Sequence, residues 1–143
     1  VIMLTKMANW VYSKQWELVF EHINEVQKKN LIKFGFTLTG RDDLEKGASS
    51  NINRISTMAQ LYAWNYHTWA SIEPIIDVDS SFEMFQKTLP FCDEYRFGLN
   101  YLKKNYTKQQ IIDFKEQVED ANKQYGRKLV WKESVIRFIE EKL

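Results

Sequence analysis

Two histidines, one cysteine and a short acidic run hold most of the side chains in this sequence that could do chemistry. Zinc and di-iron sites in helical proteins place a histidine three or four residues from a carboxylate or a second histidine, on one helix face. His22 has Val19 three residues before it and Glu25 three after, which reverses the Glu-x-x-His order, and His67 has no carboxylate at either offset. No metal ligands are expected from them. Cys92 and His67 are the residue types of a thiol nucleophile and its base. Cys92, however, follows Phe91 in an apolar-rich stretch, where a small packed thiol is the commoner outcome. No catalytic residue is assigned.

The run Asp77-Val78-Asp79-Ser80-Ser81 could aim alternate oxygens at a calcium ion. Phe82 then stands where an EF-hand loop needs glycine, and Thr88 where it needs a bidentate glutamate. The run is read instead as a cap for the helix that follows. Neither Gly40 nor Gly47 opens a glycine-rich phosphate loop. Nucleotide binding by that device is excluded, and no cofactor is expected.

Cys92 is the only cysteine, so an intrachain disulfide is impossible and a reducing, cytoplasmic setting is expected. The opening Val1-Ile2-Met3-Leu4 is too short for a signal-peptide core, and no apolar stretch approaches the roughly 20 residues that span a bilayer. A net charge of +1 gives no global field toward nucleic acid or anionic lipid. With 143 residues, 44% of them hydrophobic and 15% aromatic, the chain suits one domain, 1–143, around one core.

The elements that would position these groups are read as helices. Ser13 can cap one in which Trp16, Val19, Phe20, Ile23 and Val26 recur at helical steps, continuing through Phe34. A second is expected from about Asn51 to Glu73, stopped by Pro74. Ser80 and Glu83 form a capping box for a third, kinked at Pro90 and carried on to about Asn105. Thr107 and Gln110 box a fourth, which ends at Gly126, and a last helix lies within 131–143. The expected fold is all-α, an irregular bundle of about five helices with residues 107–143 as an antiparallel helical hairpin.

Function is then sought on surfaces. Opposite the apolar half of the second helix stand Asn53, Ser56, Thr57, Gln60, Trp64 and His67, without a formal charge among them when the histidine is neutral. Interface cores are depleted in charge and enriched in aromatics, whereas ordinary exposed helix faces carry Lys and Glu. The leading expectation is a non-enzymatic interaction protein, an adaptor or inhibitor of the kind found as a phage or mobile-element accessory. Asn53, Thr57, Gln60, Trp64 and His67 would meet another protein or a second copy of the chain. If that stripe is core instead, it describes only a scaffold.

One alternative is a nucleic-acid-binding protein that uses Lys103, Lys104, Lys108, Lys123, Arg127, Lys128 and Lys132. A second is a metal-binding helical bundle.

Overall fold

Strands and helices alternate along the chain, in contrast to the all-helical expectation. The computed structural model describes residues 1–100 and 105–141. Five strands, β1 (Ile2–Thr5), β2 (Lys33–Thr37), β3 (His67–Ile75), β4 (Glu94–Leu99) and β5 (Lys128–Trp131), form one parallel sheet in the order β1-β2-β3-β4-β5. The helices are α1 (Lys14–Glu21), α2 (Lys28–Leu31), α3 (Asn51–Ala63), α4 (Val78–Thr88), α5 (Lys108–Asn122) and α6 (Glu133–Glu140). Parallel strands joined by right-handed crossovers in sequential order put every connecting helix on the same side. That is the layout of a (β/α) barrel segment, with one helix-covered face and one open face.

Each of the first three helices expected from the sequence is a helix followed by a strand. Residues 13–34 divide into α1, α2 and the start of β2. The helix expected over 51–73 ends at Ala63; Asn65, with φ 70°, turns the chain, and β3 begins at His67. Residues 80–105 hold α4 and β4. The expected C-terminal hairpin has β5 inserted between α5 and α6, so that Trp131 is a strand residue.

The reason is visible in β3. Thr68, Ala70 and Ile72, all fully buried, alternate with His67, Trp69 and Ser71, which take the opposite face. Strands buried on both faces carry large apolar groups at successive positions, and a helical wheel accepts such a run as a broad apolar arc.

The core fills the space between sheet and helices. Phe34, Phe36, Ile72, Tyr95 and Phe97 of the sheet meet Met58, Leu61, Phe85, Ile111, Phe114, Val118 and Val135 of the helices. On α3, Met58 and Leu61 are buried in the core, Ile52 is 64% exposed and Arg54 is fully buried.

Arg54 ties down the 38–50 loop at the carboxyl end of β2. It donates to Thr37 O (2.6 Å), Ser49 O (2.9 Å) and Glu45 Oε1 (3.0 Å). Glu45 also takes Lys6 (3.0 Å) and the Thr39 hydroxyl. Asn51 closes the network through Asp42 (2.6 Å) and Thr39 N (3.1 Å). Among the described residues, no helix is long and apolar enough to cross a membrane.

Candidate ligand site on the open sheet face

The strand register sets the open face in layers. Leu4, Gly35, Trp69, Glu94 and Lys128 lie side by side across the five strands. Toward the carboxyl end, Thr37, Ser71, Arg96 and Val130 form the next row. Beyond it are Glu73, Gly98 and Lys132. The sequence spells this face by period-two alternation in Glu94-Tyr95-Arg96-Phe97-Gly98-Leu99, where every second residue is polar or glycine.

Two glycines make room for side chains from β3. A Cβ on Gly35 would stand 2.1 Å from the Trp69 ring, and one on Gly98 would stand 2.6 Å from the Glu73 carboxyl group. The Trp69 ring therefore lies over Gly35 of β2 and Glu73 leans over Gly98 of β4. A register shift between Ile72 and Ile75 places Glu73 at an irregularity, a common way to re-aim a side chain near a site.

Polar groups crowd this face. The Arg96 guanidinium stacks 4.5 Å from the Trp69 ring centre and its Nε donates to Glu94 Oε1 at 3.2 Å. Lys128 Nζ is 3.8 Å from the same oxygen, and Lys132 pairs with Glu73. His67 Nε2 is 3.6 Å from Glu94 Oε2, too long for a hydrogen bond.

Glu94 is 1% exposed. Burial alone would raise its pKa, but the Arg96 hydrogen bond and the charges of Arg96, Lys128 and Lys33 outweigh burial and hold it below the usual carboxylate value. Burial holds His67 below the usual histidine value despite Asp93 and Glu94, so the ring is mainly neutral at pH 7.

Four buried side-chain polar atoms among the described residues lack a hydrogen-bond partner. Three of them, His67 Nε2, Trp69 Nε1 and Glu94 Oε2, are on this face. Buried polar atoms are nearly always satisfied; His67 Nε2 and Glu94 Oε2 face each other at 3.6 Å, which leaves Trp69 Nε1 as the atom of this face with no acceptor among the described residues.

The residues singled out from the sequence are spread over several surfaces. Asn53 is exposed, Gln60 half-buried and Thr57 buried, its hydroxyl donating to Asn53 O at 3.0 Å. Trp64 is the C-cap of α3, half-buried, with ring contacts to Tyr12 and Phe20. His67 belongs to the open sheet face and is separated from that helical stripe.

The basic set is also divided. Lys108 donates to Glu141 O and Lys123 pairs with Asp120. Arg127 donates twice to Leu89 O, at 3.1 and 2.9 Å, while Lys128 and Lys132 turn to Glu94 and Glu73. Lys103 and Lys104 lie outside the described residues. Sequence reasoning missed Trp69, Ser71, Glu73, Glu94 and Arg96, because a helix laid over these residues hides their alternation.

No cluster of three or more His, Cys, Asp or Glu side chains that could hold a metal occurs among the described residues. Asp77 caps α4 through Ser80 N (2.8 Å) and pairs with Arg41 (3.1 Å), so the acidic run serves as a cap. Cys92 is fully buried, and burial pushes its thiol up to about 12. Iodoacetamide at neutral pH is expected to label it only after unfolding; rapid labelling of the folded chain would contradict this placement.

No family model matches the chain, and no curated protein matches it. Among solved structures, the crystal structure of Streptococcus suis SuiB superimposes with a TM-score of 0.61 over 92% of this chain, at 13% sequence identity. The likeness is one of fold. The chain spans 32% of SuiB's length, so this five-strand unit forms part of a larger chain there.

Proposed function

We propose that the chain is a ligand-binding α/β unit whose open sheet face takes a small polar molecule bearing a carboxylate or phosphate group. The observation that carries this reading is Arg96, 30% exposed on the sheet face without helices, where the Trp69 ring stacks on its guanidinium and Glu94 accepts from its Nε. Ligands of parallel α/β folds bind at the carboxyl ends of the strands. There Arg96 and Lys132 supply positive charge beside Ser71, with side chains still 30% and 42% exposed. Arg96 is held by Trp69 and Glu94 and is therefore already oriented. A planar guanidinium fixed in this way suits two-point binding of a carboxylate or phosphate. Ser71, beside Arg96 in the strand register, adds a neutral hydrogen-bonding group for the rest of the ligand.

A thermal-shift panel of phosphate, citrate, free amino acids and nucleoside monophosphates tests this reading. A ligand present at about 100 times its Kd contributes about 2.7 kcal/mol, a rise of several degrees in Tm. At least one class is expected to give that rise, and Arg96→Met is expected to remove it. A panel without effect, or a rise that survives Arg96→Met, counts against the reading.

A further inference from the structure

A second concave surface lies on the helix side of the sheet, away from the open face. Ser13 caps α1 by accepting from Trp16 N, and the helix packs through Trp16 and Phe20 while burying none of its residues fully. Between α1, the segment that follows it and the end of α3 is a cavity of about 630 Å³. Its apolar wall consists of Tyr12, Phe20, Ile23, Trp64 and Tyr66. Its rim carries Glu17, Glu21, Glu25 and Lys28, the last paired with Glu25.

Two features indicate what this cavity suits. Aromatic faces beside carboxylates attract cations carried on apolar stems. The protein shows one such contact itself: Lys28 Nζ lies 5.4 Å from the Tyr66 ring centre and 2.8 Å from Glu25. Glu17 and Glu21, one helical turn apart, enter no ion pair among the described residues. On the same segment Tyr12 is 62%, Leu18 60% and Val26 80% exposed, so apolar surface continues outside the cavity. That extent exceeds what a small ammonium ligand would cover.

We propose that this groove docks a basic amphipathic peptide segment of a partner protein. An apolar side chain of the segment enters between Tyr12, Phe20 and Trp64, and its Lys or Arg side chains pair with Glu17 and Glu21. Recognition then combines a buried aromatic anchor site with charge complementarity at the rim. It gives Trp64 a binding role through the groove wall rather than through a helical stripe, and it is independent of any ligand on the open sheet face.

The probe is a short acetylated amphipathic peptide of Leu and Lys, titrated calorimetrically at physiological salt beside a counterpart with Glu in place of Lys. The Lys peptide is expected to bind and the Glu peptide not to. Reversing two rim charges, Glu17→Lys with Glu21→Lys, is expected to weaken binding about tenfold or more, and the exposed Tyr12→Ala to weaken it too. The control pair Glu116→Lys with Glu140→Lys, which makes the same change in net charge elsewhere, should bind like the unaltered protein. Circular dichroism verifies that each variant is folded. Equal binding of both peptides, equal loss in the control pair, or no binding of the Lys peptide overturns the proposal.

Discussion

Arg54→Ala is expected to lower the unfolding free energy by about 3–5 kcal/mol, the usual cost of stranding one partner of a buried ion pair. Arg54 is fully buried, and the Glu45 side chain is 5% exposed. Removing the guanidinium also strips Thr37 O and Ser49 O of their donor, so the whole 38–50 loop loses its anchor. Against a typical total of about 5–15 kcal/mol, that loss is a large fraction of the stability. Urea denaturation measures the loss; a change below about 1 kcal/mol would show that the network is not holding the loop.

Adding Glu45→Gln to Arg54→Ala should recover part of the loss, because no buried charge is then left unpaired. The same pair sets an acid limit. Burial alone would raise the Glu45 pKa, but its bonds from Arg54, Thr39 and Lys6 bring it down to about 2 from an ordinary 4.5. A carboxylate with a depressed folded pKa contributes stability that is complete above its unfolded value and lost as the pH falls toward its folded value. The unaltered protein should therefore weaken between about pH 4.5 and 2. Glu45→Gln should remove this part of the slope.

Gly35→Ala is the second large effect, expected to cost about 3 kcal/mol or more through overpacking. The added methyl would meet the Trp69 ring at 2.1 Å, and the ring has nowhere cheap to go, being 3% exposed with Arg96 stacked on it. Trp69→Phe removes the indole atoms nearest Gly35. In that background Gly35→Ala should cost markedly less, and a double-mutant cycle reads the coupling directly. Additive costs would mean that Trp69 does not lie over Gly35.

Much of the local chemistry was legible in the sequence. Ser13 and Thr107 cap the helices expected of them, and Thr107 with Gln110 forms the reciprocal box. The acidic run caps α4, although Asp77 rather than Ser80 is the capping residue.

The architecture was not legible, because each strand follows its helix within a few residues and extends the same apolar signal. Phe34 and Phe36 prolong the periodicity of α1, and Trp69 and Ile72 prolong that of α3. On β4, Pro90 separates two apolar runs that a kinked helix also fits, although Glu94, Arg96 and Gly98 alternate strictly with Tyr95, Phe97 and Leu99. Reading β3 as helix put His67 in line with Trp64. The pleat of the strand sends it instead to the face of Trp69 and Glu94. The open-face site was missed for the same reason, since its members are neighbours across strands and are far apart in sequence.

The most direct measurement of the open-face site is the indole N–H resonance of Trp69 in a heteronuclear NMR spectrum, assigned by its disappearance in Trp69→Phe. Its Nε1 has no partner among the described residues, whereas Trp10 Nε1 donates to Met7 O at 3.0 Å and serves as an internal control. Titration with the phosphate, citrate, amino-acid and nucleotide panel is predicted to shift the Trp69 signal saturably for at least one class. The Trp10 signal should stay in place, and Arg96→Met should abolish the response. A Trp69 indole unmoved by every member, or shifts confined to other tryptophans, would contradict a ligand site on the open face.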